Sequence, residues 1–153
     1  MAVVATPLDA RIVLAACGEG CRRGIGLRGA LPWPRLPSDM RRFVQITRGS
    51  AVVMGRATYD SLPEKVRPLP DRTNLVLSRQ TRDALRLPDH VLLAGSLDAA
   101  ERLLRARNVP MPVYVIGGAD IFDEALKRPE WSTRIYYTHI ENKFEVDRHF
   151  TCD

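Results

Sequence analysis

The sequence predicts an α/β fold: a mostly parallel twisted sheet with helices packed on its faces. Three observations carry this expectation. Short apolar runs rich in Val, Ile and Leu recur along the chain. Segments with helical spacing of apolar residues lie between them, and glycines follow several of the runs. Alternation of this kind is the pattern of strands buried on both faces and joined by helical crossovers.

Six runs read as strands. They are Arg11–Cys17, Ala51–Met54, Thr73–Ser78, Val91–Ala94, Pro112–Ile116 and Arg134–Ile140. Between them, Ser38–Thr47 follows Pro37 and spaces Met40, Phe43, Val44 and Thr47 as one stripe. Ser96–Arg107 opens on a capping-type serine and repeats Leu97, Ala100, Leu103 and Leu104. Asp120–Lys127 is a third helix, and a short one is expected near Ala57. At 153 residues the chain has the length of one domain, read as 1–153, with a full core of its own.

Composition narrows the function. Hydrophobic residues make up 45% and charged residues 27%, the balance of an ordinary globular protein. The apolar run Ile12–Cys17 is too short to span a bilayer, and Met1–Thr6 does not read as a signal peptide, so a cytoplasmic protein without membrane contact is expected. A net charge of +5 fits anionic small ligands better than nucleic acid, because the arginines are scattered and form no long run. Cys17, Cys21 and Cys152, with His90, His139 and His149 dispersed, lack metal-site spacing, so reduced thiols and no metal are expected.

In parallel sheets ligands sit at the carboxyl ends of strands. The first strand runs into a glycine-rich segment, Gly18 to Gly26, and then Leu31-Pro32-Trp33-Pro34. A long connection with an apolar tip suggests a lid that excludes water, the alternative being a surface loop with Trp33 tucked into the core. Gly55-Arg56-Ala57-Thr58 and Ser78-Arg79 each place an arginine beside a hydroxyl residue at a strand end, suited to a phosphate. Gly117-Gly118-Ala119 opens a helix, where bare backbone amides favour an anion. Asp39 lies in the first turn of its helix and shares a face with Phe43, four residues on. That phase turns a carboxylate toward the core, with Arg41 and Arg42 expected to point elsewhere, so a cationic or amidine-like ligand is the partner it requires.

These fragments occur together in one family. Gly24-Ile25-Gly26, Leu31-Pro32-Trp33, Ser38-Asp39-Met40-Arg41-Arg42-Phe43, Val53-Met54-Gly55-Arg56-Ala57-Thr58-Tyr59, Ser61-Leu62-Pro63, Leu69-Pro70-Asp71-Arg72, Asn74-Leu75-Val76-Leu77-Ser78-Arg79 and Val115-Ile116-Gly117-Gly118 resemble dihydrofolate reductases in order and spacing. The resemblance covers nearly the whole chain. It implies NADPH-dependent reduction of dihydrofolate to tetrahydrofolate in one-carbon metabolism, by a monomer that also binds antifolates such as methotrexate and trimethoprim. Asp39 would hold the 2-amino group and N3 of the pterin, with Thr138 hydrogen-bonded to that carboxylate. Leu14, Ala15, Met40, Phe43, Ser61, Leu62 and Leu69 would line the folate pocket, with Ile116 and Phe122 at its cofactor side. Arg72 would take the carboxylate of the glutamate tail.

The same resemblance assigns the cofactor. Ala16, Ile25, Gly29, Gly55, Arg56, Ala57 and Thr58 would bind NADPH, as would Leu77, Ser78 and Arg79. Ile116, Gly117, Gly118, Ala119, Ile121 and Phe122 would complete that site, with a cis bond between Gly117 and Gly118. Arg56, Ser78 and Arg79 would face the 2′-phosphate. Hydride would pass from the nicotinamide to C6 of the pterin, with Leu31 and Trp33 on the lid and a water beneath Leu31 protonating N5.

Three departures from the family pattern stand out. Phe122 stands where the family usually has Tyr, two extra residues fall between Ala16 and Gly24, and the sequence to Asp153 is expected to lack the family's C-terminal antiparallel hairpin. The last departure leaves Arg134–Ile140 as an expected sheet edge, open to another chain or segment. Together with Phe122 it motivates an alternative, a folate- and NADPH-binding remnant without turnover. A related fold member that reduces a pyrimidine ribose is disfavoured by Asp39 and the Leu-Pro-Trp string.

Overall fold

A computed structural model describes residues 7–17, 23–34, 36–128, 130–131, 134–142 and 144–151. Its strands are β1 (Ala10–Cys17), β2 (Gly24–Gly26), β3 (Ala51–Gly55), β4 (Thr73–Leu77), β5 (Leu92–Ala94), β6 (Val113–Gly117), β7 (Arg134–Ile140) and β8 (Arg148–His149). The helices are α1 (Pro37–Thr47), α2 (Arg56–Ser61), α3 (Arg82–Leu85), α4 (Leu97–Ala106) and α5 (Ala119–Leu126), with a 3-10 turn at Glu64–Val66. The strands form one sheet in the order β5-β4-β3-β6-β1-β2-β8, and β7 pairs with β1.

The pairs β4–β5, β3–β4, β3–β6, β1–β6 and β1–β7 are parallel, so the expected mostly parallel sheet is present. Among the described residues, the short β2 is the strand that runs antiparallel to its neighbours, β1 and β8. Strand β7 matches β1 residue for residue from Arg11↔Arg134 to Cys17↔Ile140. Among the described residues no strand pairs with its other side.

Burial on both faces explains the uninterrupted apolar runs. Val53, Leu75 and Val115 pack on one face against Leu97, Ala100 and Leu104 of α4 and Phe122 and Ala125 of α5. Their neighbours Val52, Met54, Val76 and Tyr114 pack on the other, where Phe43 and Ile46 of α1 join them. Alternation along each strand thus feeds two cores. Helix α4 starts where Ser96 Oγ accepts from Ala99 N at 3.1 Å, a cap contributing about 1 kcal/mol.

The stripe expected on α1 is corrected. Met40 and Val44 are 43% and 36% exposed, whereas Phe43, Ile46 and Thr47 face inward. The glycine-rich connection is also more regular than expected. After β2, Leu27 and Ala30 exchange backbone hydrogen bonds of 2.8 and 3.0 Å around Arg28 and Gly29, both at positive φ. That is a two-residue hairpin turn. The two extra residues before Gly24 fall largely outside the described residues, as do Cys21 and Cys152.

Candidate active site

The carboxyl ends of β1, β3, β4 and β6 meet along one edge of the sheet, and two cavities open there. The larger, about 580 Å³, runs between the β2 turn and the starts of α2 and α5. The smaller, about 120 Å³, lies between α1 and the ends of β1 and β7. Leu14, Ala15, Leu31 and Ile116 line both, so the cavities share a wall.

Asp39, Phe43 and Thr138 line the smaller cavity, as their helical phase and strand position require. Two expectations about Asp39 are corrected. Its side chain is half-buried rather than enclosed, because α1 starts only two residues before it. A cation also shares its cavity: Arg42, three residues on and therefore on the same helix face, lines it as well. The hydroxyl of Thr138, expected to serve Asp39, accepts from Arg42 Nη1 at 2.9 Å.

Arg72 lies near this cavity, with its guanidinium 5.7 Å from the ring centre of Phe43. Burial is the largest cause of a pKa held below the ordinary arginine value. Its Nε donates to Pro70 O at 3.0 Å, while its Nη1 is buried with no hydrogen-bond partner. A buried donor on a guanidinium is a demand for an anion.

The loop carrying Arg72 is held by Asn74, to which the sequence reading gave no role. This residue is 3% exposed. Its Oδ1 accepts from Leu69 N at 2.9 Å, and its Nδ2 donates to Leu69 O at 2.9 Å and Arg72 O at 3.2 Å. The legible signal was an amide inside a strand of otherwise apolar residues.

The larger cavity gathers most of the residues assigned to a cofactor. Ile25, Gly29, Gly55, Arg56, Ala57, Thr58 and Leu77 line it, with Gly117, Gly118, Ala119, Ile121 and Phe122. Ser61 lines this cavity rather than the smaller one. The Gly117–Gly118 bond is cis, and Gly117 has φ +143°, a conformation open to glycine. A Cβ at Gly117 would meet Thr58 Oγ1 at 3.0 Å. Gly118 begins α5 with no side-chain cap, leaving the first helical amides to a ligand. A dinucleotide diphosphate fits that bare turn. Arg56 is already paired with Asp60 at 2.9 Å, so a phosphate would compete for it.

Several assigned residues lie elsewhere. Trp33 is 6% exposed and packs edge-on to Phe144, 6.0 Å between ring centres, beside Cys17. It is the tucked tryptophan of the alternative reading, whereas Leu31, 56% exposed, reaches both cavities. Ala16 is fully buried beneath the site. Leu62 and Leu69 pack in the core cluster below α1, and Met40 points outward. Ser78 and Arg79 follow β4 without lining the cavity, Ser78 Oγ accepting from Gln80 N at 3.1 Å.

Residues of the β2 turn and around β8 complete the larger cavity and were not anticipated. Arg28, Asp147 and Arg148 line it. Asp147 N donates to Gly26 O at 2.8 Å and its Oδ2 accepts from Arg28 N at 2.9 Å, which clasps the β2 turn over the cavity. Phe122, in place of the expected Tyr, is 2% exposed and packs edge-on to Phe150 at 5.8 Å.

Comparison with known proteins agrees with this architecture. The sequence model of the family described as dihydrofolate reductase matches residues 12–152. The dihydrofolate reductase of Drosophila melanogaster is 40% identical, the match covering 91% of this chain and 77% of that one. That of Mus musculus is 41% identical over 83% of this chain and 72% of the other. A bifunctional dihydrofolate reductase-thymidylate synthase of Arabidopsis thaliana is 39% identical over 90% of this chain and 25% of its own length. Among solved structures, Schistosoma mansoni dihydrofolate reductase superposes with a TM-score of 0.79 at 35% identity, covering 94% of this chain and 80% of that one.

Proposed function

The chain belongs to the dihydrofolate reductase family, and from that premise we propose that its smaller cavity binds the pterin ring and its larger cavity binds NADPH. The activity is the NADPH-dependent reduction of dihydrofolate to tetrahydrofolate, an oxidoreductase step of one-carbon metabolism. The observation that carries the assignment of sites is the shared wall. A cavity with one carboxylate adjoins, across Leu14, Ala15, Leu31 and Ile116, a longer cavity that reaches two glycine turns.

Within this reading each residue has a physical task. The two oxygens of Asp39 accept from the 2-amino group and N3 of the pterin, and Phe43 packs on the ring's apolar face. Arg72, with an unpaired buried nitrogen, takes the carboxylate of the glutamate tail. The bare turn at Gly117 and Gly118 and the start of α5 hold the diphosphate, with Arg56 near the ribose phosphate. NADPH supplies the hydride. Leu31 covers the junction, excluding bulk water while leaving room for the one that protonates N5. Alignment of two rings across one wall is a proximity effect.

The reading keeps a cytoplasmic monomer, and size-exclusion chromatography tests the second point, with the β7 edge as the place where association would begin. The experiment for the function is direct. The purified chain is mixed with NADPH and dihydrofolate, and the reduced cofactor's absorbance is followed. Catalytic loss of absorbance supports the reading. Tight methotrexate binding without turnover would favour the remnant instead, for which Phe122 is the specific motive.

A further inference from the structure

Of the side chains that line the smaller cavity, Asp39 and Arg42 carry charge, and their signs are opposite. No ion pair joins them. The guanidinium of Arg42 instead donates from Nη1 to Thr138 Oγ1 at 2.9 Å, a bond that ties α1 to β7. Two separate charges therefore stand around one space of about 120 Å³.

A ligand that enters this space is close to both. Asp39 can accept two N–H groups whether or not the ligand is charged. Arg42 tells the two cases apart, because its charge repels a cation and leaves a neutral ring alone. We infer that Arg42 is a specificity-determining residue of the pterin site: its charge favours neutral rings over cationic rings that present the same donor edge. The inference rests on reading the Asp39 cavity as the pterin site. A lone Asp39 would suit a cation at least as well as a neutral edge; with Arg42 on the same wall, the neutral edge is the better match.

The two kinds of ring differ in basicity. A dihydropterin is neutral at neutral pH. A diaminopyrimidine such as trimethoprim is a base, and contact with a carboxylate favours its protonated form. Arg42 is exposed, so water and salt weaken its field. In such surroundings one unit charge changes the affinity for a nearby second one by roughly twofold to tenfold.

The test compares a cationic and a neutral ligand on the same variants. The probes are trimethoprim and 6-methyl-7,8-dihydropterin, neither of which has a glutamate tail for Arg72. Dissociation constants are measured by calorimetry on NADP+-saturated protein, at low and high sodium chloride. Arg42→Met removes the charge and keeps the apolar stem, Arg42→Lys keeps the charge, and NADP+ affinity is the control for folding. Arg42→Met should bind trimethoprim roughly twofold to tenfold more tightly at low salt, with the gain shrinking at high salt. Its affinity for the dihydropterin should change by less than about twofold, and Arg42→Lys should match wild type on both ligands. Unchanged or weaker trimethoprim binding by Arg42→Met would overturn the inference. An equal gain for both ligands, or a gain indifferent to salt, would also overturn it, since the bulk of the side chain and not its charge would then be responsible. Failure of the underlying reading would look different: Asp39→Asn would bind both ligands as tightly as wild type.

Discussion

Replacing Arg72 with leucine separates recognition of the folate tail from recognition of the pterin head. In the structure Arg72 holds one hydrogen bond, Nε to Pro70 O at 3.0 Å, and leaves its buried Nη1 without a partner. Burial already disfavours its charge, so an arriving carboxylate meets a poorly solvated cation. Hydrogen bonds to charged groups contribute about 1.5–3 kcal/mol net. Loss of that contact raises the KM for dihydrofolate roughly tenfold to 150-fold, at about 1.4 kcal/mol per decade. Trimethoprim, which has no glutamate tail, should bind Arg72→Leu within about twofold of wild type, an additivity margin for a distant contact. Leucine preserves apolar contact with Phe43, and removal of an unpaired buried donor leaves stability unchanged or slightly higher. Steady-state kinetics with dihydrofolate beside calorimetry with trimethoprim measure both effects. Equal weakening of the two ligands would refute the reasoning, because Arg72 would then be shaping the whole pocket instead of meeting the tail.

Two further outcomes follow from contacts on the same edge of the sheet. Asn74→Leu strands the backbone N–H and C=O of Leu69 in the core and should destabilise the chain by about 2–4 kcal/mol, read as a lower midpoint in urea, with the KM for dihydrofolate rising as the Arg72 loop loosens. Asp147→Ala removes the acceptor for Arg28 N and should weaken NADPH binding by about three- to tenfold, with the urea midpoint little changed.

How far the sequence reached differs from element to element, and the differences have physical causes. Strands buried on both faces announce themselves as unbroken apolar runs, and the six runs correspond to β1, β3, β4, β5, β6 and β7 within a residue or two. Ser96 was legible because an N-cap is a local interaction. Strands β2 and β8 were not, since three and two residues carry no periodicity and pair only through tertiary contact. The α1 stripe was misassigned by taking Met40 and Val44 as inward; burial follows Phe43, Ile46 and Thr47.

The site divides in the same way. Glycine turns and the phase of Asp39 were readable because they depend on backbone freedom and helical geometry. The same phase rule applied to residue 42 would have placed Arg42 beside Asp39, three positions along. Trp33 was assigned to the lid from its place in an apolar tip, yet contact with Phe144, more than a hundred residues away, buries it. Asn74 acts by bonding backbone five residues back, which no apolar pattern reveals.

The most direct test of the account compares wild type and Asp39→Asn in a single-turnover reaction of NADPH with dihydrofolate, with NADPH affinity measured beside it. Loss of a charged partner to the amidine edge predicts a fall in kcat/KM of roughly thirtyfold to several thousandfold, about 2–5 kcal/mol, with NADPH affinity unchanged. Retention of wild-type kcat/KM by Asp39→Asn would contradict the central claim that this carboxylate holds the pterin.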